Sequence, residues 1–207
     1  MARPRKFTED DVVASASTAF SAGGYGGTSL GDLVEATGLG KQSIYNAFGG
    51  KRELFIRAFE SDAADAVAAL DQALAESDAS PIERIRAHLL RLAIEFSTEQ
   101  PRVSLFLKGN AELSDHDPDV ASSALEAFSE LEQVYLGCIV DAQACGEVDP
   151  DADPAPLAAF YLAFTRGLET IGAAGVGRAK LSAAAITALD VLPLTQTGRD
   201  KLLPEED

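Results

Sequence analysis

Residues 28–55 read TSLGDLVEATGLGKQSIYNAFGGKRELF, and this stretch decides the fold. Apolar residues recur in it at helical spacing, and glycines separate three periodic segments. The pattern predicts a short helix that ends at Gly38, a second helix over residues 41–48, and a third that begins at Lys51. Two short helices joined by a tight glycine turn are typical of a helix-turn-helix.

The Gly-Lys-Ser cluster in this stretch also suggests a phosphate-binding loop for a nucleotide. That loop requires a glycine at position 35, where the sequence has Glu35, and a Ser or Thr directly after Lys41, where it has Gln42. It also requires a preceding strand, and the pattern here is helical. The nucleotide-binding interpretation therefore fails on all three requirements.

A helix over residues 41–48 has two distinct sides when its residues are placed 100° apart. Ile44, Ala47 and Phe48 form a narrow apolar side, and the wide opposite side consists of side chains that can form hydrogen bonds. Lysine and tyrosine suit phosphates, glutamine and asparagine suit adenine edges, and serine suits either. The alternative is a surface helix with a solvated face. The polar side consists of Lys41, Gln42, Ser43, Tyr45 and Asn46.

The rest of the chain is also predicted to be helical. Ser80, Pro81 and Glu83 form a strong helix start, and Thr8 with Asp11 forms a similar one near the N-terminus. We predict an all-α fold of about nine helices and no sheet, with a polar and loosely held tail from residue 194. The predicted helices cover approximately residues 8–23, 28–38 (capped by Thr28 or Ser29), 41–48, 51–76, 81–96, 101–113, 118–146, 153–172 and 181–192.

Charge is distributed unevenly along the 207 residues, whose net charge is −16. Residues 1–57 carry a net charge of +1 and residues 58–207 carry −17. Because charges are screened over about 8 Å at physiological salt, a distant acidic region need not prevent the first segment from binding a polyanion. No apolar run is long enough for a membrane span or a signal peptide, and two cysteines do not indicate a disulfide framework, so we expect a cytoplasmic protein.

The N-terminal pattern resembles the DNA-binding segment of TetR-family (TetR/AcrR-type) transcriptional regulators. The family pattern is T-[ST]-hydrophobic-x-x-[IL]-[AV], then G-V-[ST]-K-x-x-[IL]-Y-x-x-F, then K-x-x-L. Gly40 departs from it, because a Ser or Thr often caps the recognition helix there. The matching residues are Thr28, Ser29, Leu33, Val34, Gly38, Lys41, Ile44, Tyr45, Phe48, Lys51 and Leu54.

The resemblance implies a ligand-responsive regulator, expected to be a repressor, that binds a palindromic operator as a dimer. Residues 1–50 would form a three-helix DNA-binding head with a basic N-terminal arm, and residues 51–207 a ligand-binding and dimerisation domain. Thr28, Tyr45, Asn46 and Lys51 would contact the DNA backbone, while Lys41, Gln42 and Ser43 would reach base edges.

The basic arm carries Arg5 and Lys6, which would add minor-groove or phosphate contacts, or would only make the terminus soluble. The resemblance also implies a homodimer through the last two long helices. A second possibility is a helical small-molecule-binding or protein-interaction module with a vestigial DNA head.

No set of nucleophile, base and acid has catalytic spacing, so we expect no enzyme activity, no metal and no cofactor. An unidentified small-molecule effector is expected, because bundles bind ligands between helices. Ordinary core packing is the alternative for each candidate pocket residue. These candidates are His88, Phe96, Phe106, Asn110, Tyr135, Phe160 and Phe164.

Overall fold

The structure, a computed structural model, describes residues 8–75, 77–98 and 103–202. Within these ranges it contains α-helices, one 3₁₀ turn at Ala188–Val191 and an isolated antiparallel bridge between Val148 and Leu194, and no strand. The α-helices are α1 Glu9–Gly27, α2 Leu30–Thr37, α3 Lys41–Phe48, α4 Lys51–Leu74, α5 Pro81–Glu95, α6 Leu105–Leu113, α7 Pro118–Ala144, α8 Pro154–Ala173, α9 Arg178–Thr187 and α10 Gln196–Leu202.

The predicted all-α class is confirmed, and so are the helix starts at Thr8 and Ser29 and the helix end at Gly38. Helix α1 extends beyond its predicted end at residue 23 to Gly27, although Gly24 interrupts its helical geometry. Ser29, rather than Thr28, caps α2 through a reciprocal capping box with Asp32. Gly38 ends α2 in the left-handed conformation, with φ of 70°, which side chains other than glycine rarely adopt. The predicted helix start at Pro101 lies outside the described residues.

The C-terminal tail differs from the prediction of a loosely held segment, because it forms α10. The backbone N–H of Thr195 donates to the carbonyl of Glu147 at 3.0 Å, and that of Asp149 donates to the carbonyl of Pro193 at 2.9 Å. Helix α10 packs against α5. These contacts join residues almost fifty positions apart, so local sequence did not indicate them. The predicted last helix also ends earlier, with α9 followed by the 3₁₀ turn.

The described residues divide into two compact units, and the expected functional boundary at residue 50 stays a prediction. The head unit contains residues 8–65 and 103–127, and the body unit contains residues 66–75, 77–98 and 128–202. The head unit therefore includes the first part of α4, all of α6 and the start of α7.

A run of aromatic rings forms the core of the head unit. Phe55 lies edge-on to Phe20 at 5.1 Å between ring centroids and 6.0 Å from Phe59, which contacts Phe106 at 5.4 Å. All four side chains are fully buried, and each stabilises the fold by roughly 1.5–3 kcal/mol through removal of apolar surface from water. This run connects α1, α4 and α6. The core that supports α2 and α3 therefore includes residues of α4 and α6 as well as residues of α1.

The body unit has its own core, in which α5 packs against α8 and α9. Ile85, Leu89 and Leu181 are fully buried there, and Tyr161 donates its hydroxyl to the carbonyl of Ala188 at 2.8 Å. No helix in the described ranges combines the length and apolar character that a membrane crossing requires.

Candidate nucleic-acid interface and effector domain

Helix α3 presents a polar face to solvent. Ile44 is fully buried and Phe48 is 6% exposed, so these two residues seat the helix on the head unit. Tyr45 is 53% exposed, which is unusual for a large aromatic side chain. The five predicted contact residues of this helix all lie on its exposed side, namely Lys41, Gln42, Ser43, Tyr45 and Asn46.

Two of these side chains orient each other. Gln42 donates its Nε2 to Asn46 Oδ1 at 3.0 Å, one turn further along α3. The pair leaves the Gln42 carbonyl oxygen and the Asn46 amide nitrogen available on the exposed face. Gly40 caps α3 without a side-chain hydrogen bond, as the sequence indicated.

Thr28, predicted to contact the DNA backbone, is buried in the head unit. Its side chain is 3% exposed, and its hydroxyl donates to the carbonyl of Gly24 at 2.7 Å. Its backbone N–H also donates within the head, to Tyr25. Because both donors are used inside the head, Thr28 holds the α1–α2 connection, and its contact with the DNA backbone stays a prediction.

Lys51 lies at the start of α4, half-buried, with its Nζ 4.2 Å from the centroid of the Tyr25 ring. This cation–π contact fixes the ammonium group while leaving its N–H donors free for a phosphate. Arg5 and Lys6 of the predicted arm lie outside the described residues.

A chain of polar groups runs from the exposed Arg91 into the core of the body unit. Arg91 donates its Nη2 to His88 Nδ1 at 3.2 Å. Because arginine can only donate, His88 Nδ1 is the acceptor and the imidazole proton lies on Nε2. His88 Nε2 donates this proton to the Tyr135 hydroxyl at 3.0 Å. Tyr135 donates to Thr165 Oγ1 at 3.4 Å, and Thr165 donates to the carbonyl of Tyr161 at 2.9 Å. The His88 N–H and the hydroxyls of Tyr135 and Thr165 therefore each have an acceptor.

Burial determines the protonation states in this network. Burial, reinforced by repulsion from Arg91 and Arg166, lowers the pKa of His88 to about 3, so the imidazole is neutral at physiological pH. Burial likewise raises the pKa of Tyr135 to about 12, so its hydroxyl remains a donor. The network is therefore a set of neutral hydrogen-bonding groups flanked by two guanidinium groups.

The other predicted pocket residues are not all brought to this network. Phe106 and Asn110 lie on α6 in the head unit, where Phe106 packs on Phe59 and Asn110 accepts a hydrogen bond from Ser114. These two residues belong to the head unit, whereas the other five belong to the body unit, and their assignment to a ligand pocket stays a prediction.

The remaining three predicted aromatics belong to the body unit. Phe96 is half-buried at the end of α5, beside Gly172. Phe160 and Phe164 are half-buried on α8 and stack with ring centroids 5.8 Å apart. Among the seven predicted residues, the described part of the chain thus shows two direct contacts, the hydrogen bond between His88 and Tyr135 and the stacking of Phe160 on Phe164.

Two clefts in the body unit, with volumes of about 420 and 360 Å³, lie away from the predicted residues. Both are lined by Arg84 and Asp141. Arg84 is 7% exposed and donates its Nη1 to the carbonyl of Leu74 at 2.6 Å. Sequence reasoning missed Arg84 and Thr165, because a charged or polar residue in a helical pattern gives no local sign that it is buried.

The fold and the exposed face of α3 together define a helix-turn-helix DNA-binding protein with an additional helical domain. The family model described as "Bacterial regulatory proteins, tetR family" matches residues 12–58, and the model described as "Tetracyclin repressor-like, C-terminal domain" matches residues 81–179. The HTH-type transcriptional repressor ComR of Escherichia coli (strain K12) is 30% identical over 193 residues, which cover 92% of this chain and 91% of ComR.

Solved structures agree with these matches. The TetR family transcriptional regulator CifR, in a cysteine mutant complexed with 26-bp double-strand operator DNA, has a TM-score of 0.80 and 27% identity, over 93% of this chain and 100% of that chain. The reduced form of NemR from E. coli has a TM-score of 0.81 at 18% identity, over 90% and 97%, and supports the fold alone. The chain belongs to the TetR family and is a DNA-binding transcriptional regulator.

Proposed function

We propose that the protein is a cytoplasmic repressor that binds a palindromic operator as a homodimer and reads each half-site with α3. The exposed polar face of α3 carries this proposal, because its five side chains offer donors and acceptors to the major groove while Ile44 and Phe48 keep the helix in place. Gln42, oriented by Asn46, is assigned to a base edge, with Lys41 and Ser43 beside it. Tyr45 and Lys51 are assigned to phosphates.

An apolar stripe on α8 supports dimerisation. At 100° per residue, Phe160, Phe164, Gly167 and Ile171 fall within about 60° of one another. Gly167 and Ile171 are exposed and the two phenylalanines are half-buried in the single chain. On α9, Ile186 is 56% exposed. Large apolar side chains exposed along neighbouring helices fit a helix-on-helix interface between two copies.

The dimer matters because one recognition helix covers too little DNA for tight and specific binding. Two heads on a symmetric dimer match half-sites about 34–36 Å apart, which is one turn of the duplex. Palindromic DNA is therefore the partner that the symmetry of the protein requires.

The effector response is assigned to the body unit, at the network of His88 and Tyr135. The donors of His88, Tyr135 and Thr165 already have acceptors inside the protein, so a ligand would replace one of these hydrogen bonds. Arg91, whose side chain is partly exposed beside His88, can donate to oxygen acceptors of a small molecule. A ligand can shift the regulator between two arrangements only by its differential affinity for them, typically about 1–3 kcal/mol.

Selection of bound duplexes from a random pool tests the DNA-binding proposal. We expect a palindromic consensus for the wild type. Lys41→Ala combined with Tyr45→Ala should abolish binding to that duplex with an unchanged melting temperature, because both side chains are exposed. Lys201→Ala, which removes an exposed lysine of the body unit, is the matched control and should bind normally. Normal binding by the double variant would refute the assignment of α3, and no selected duplex at all would favour a module with a vestigial head.

A further inference from the structure

Helix α6, which is not part of the helix-turn-helix, holds the end of α1 through one carboxylate. Glu112 accepts the backbone N–H of Tyr25 on Oε2 at 2.8 Å and that of Gly26 on Oε1 at 2.7 Å. One turn earlier on α6, Lys108 donates its Nζ to the carbonyl of Ser21 at 2.7 Å. All of these residues belong to the head unit. Bonds in which one partner is charged are about twice as strong as neutral ones.

The glycines at the end of α1 leave space for the Glu112 carboxylate. Gly24 has φ of 72° and interrupts α1, which turns the next two N–H groups towards Glu112. A Cβ at position 24 would lie 2.8 Å from Glu112 Oε2, and a Cβ at position 26 would lie 3.1 Å from Oε1. A larger residue at position 24 would therefore shift the carboxylate, and one at position 26 would crowd it.

The segment that Glu112 binds includes Tyr25, and the ring of Tyr25 contacts the Lys51 ammonium group. The Tyr25 ring lies edge-on to the buried Phe55, with 5.1 Å between ring centroids. The same ring also contacts Lys51, whose Nζ lies 4.2 Å from the Tyr25 centroid. The backbone of Tyr25 is fixed by Glu112 and its ring by Phe55. The position of the Lys51 ammonium group thus depends on a residue 61 positions further along the chain.

We propose that Glu112 is a positioning residue for operator binding: it fixes Tyr25, whose ring holds the Lys51 ammonium group towards a backbone phosphate. The inference rests on the proposed function, in which Lys51 contacts the operator. Glu112 itself acts through Tyr25 and touches no DNA.

The salt dependence of binding measures this role directly. Each phosphate contact contributes about 0.9 to the slope of log affinity against log salt concentration. Loss of the Lys51 contact in both heads of a dimer should therefore reduce the slope by about 1.8 and weaken binding at 0.1 M salt by about 60-fold. A merely structural role for Glu112 would lower the melting temperature without changing this slope.

The experiment is fluorescence anisotropy with the selected operator duplex at several salt concentrations. Glu112→Ala and Lys51→Ala should each reduce the slope by about 1.8, and the double variant should reduce it no further. Tyr25→Leu should reproduce the loss while keeping the backbone N–H groups that Glu112 accepts. Glu126→Ala, which removes an exposed carboxylate of α7 in the same unit, is the matched control and should keep the wild-type slope.

The possible failures are distinguishable. A wild-type slope in Glu112→Ala, together with a reduced slope in Lys51→Ala, would overturn the positioning role and leave the proposed function intact. Tighter binding by both Glu112→Ala and Glu126→Ala would show that only net charge matters, and would also overturn it. A wild-type slope in Lys51→Ala would instead contradict the phosphate contact in the proposed function, and the inference would fail with it. If Glu112→Ala is unfolded, Glu112→Gln replaces it, because the single amide oxygen can accept only part of what the carboxylate accepts. A wild-type slope in a folded Glu112→Gln, together with a reduced slope in Lys51→Ala, would overturn the positioning role.

Discussion

Gly109 offers a sharp test of how the head unit is packed. It lies in the middle of α6, and a Cβ at this position would lie 2.8 Å from Phe59 Cδ2 and 2.9 Å from Phe55 Cζ. Both rings are fully buried and are held by further rings on either side. They therefore cannot move away without shifting the aromatic core that supports α1.

The magnitude follows from two opposing effects of Gly109→Ala. Replacing glycine by alanine within a helix ordinarily stabilises it by about 0.5–1 kcal/mol, because the unfolded chain loses conformational freedom. An added methyl group in a filled core costs about 1–3 kcal/mol. Gly137→Ala in α7 should stabilise its helix without the cost of overpacking, because no heavy atom lies within 4 Å of its added Cβ.

Urea unfolding at one fixed protein concentration compares the two variants, since the stability of a dimer depends on concentration. We expect Gly137→Ala to raise the free energy of unfolding by about 0.5–1 kcal/mol, and Gly109→Ala to lie about 1–3 kcal/mol below Gly137→Ala. Equal stabilisation by the two substitutions would refute the close packing of α6 on α4 that the head unit requires.

Two further predictions concern the body unit. His88 has a folded-state pKa of about 3 and an ordinary value of 6.5, so between these values the unfolded chain binds the proton and stability falls as the pH falls. Lowering the pH from 7.5 to 5.5 should cost the wild type about 1.4 kcal/mol more than it costs His88→Gln, measured by thermal unfolding, and equal losses would contradict the burial of a neutral imidazole. Ser80→Ala removes the cap that accepts the N–H of Glu83 on α5 and should cost about 1 kcal/mol in urea unfolding; an unchanged midpoint would show that the capping box contributes nothing.

Local signals predicted the elements of this fold well, for physical reasons. Helix periodicity places Ile44 and Phe48 on one side of α3, so the same pattern that buries them also exposes Gln42 and Tyr45. Capping residues and glycines act within a few positions of the helix ends that they fix. The exposed face and the bounds of α3 could therefore be read from residues 38–50 alone.

Burial of polar groups could not be predicted in this way. The sequence placed Thr28 among the DNA contacts, and the structure turns its hydroxyl inwards to Gly24. Tyr135 and Thr165 lie thirty positions apart on separate helices. The sequence around each residue does not indicate that the other is its hydrogen-bond partner. Phe106 is an aromatic residue of the kind that lines ligand pockets, yet its side chain packs in the head core.

The sequence by itself determined the all-α class, the helix-turn-helix and the polar face of α3, because these depend on spacing within a single turn or two of helix. Only the tertiary structure decided that α6 belongs to the head unit and that Glu112 holds Tyr25 there. The physical reason is distance along the chain: a carboxylate and two N–H groups some 87 residues apart meet only when the aromatic core between their helices has formed.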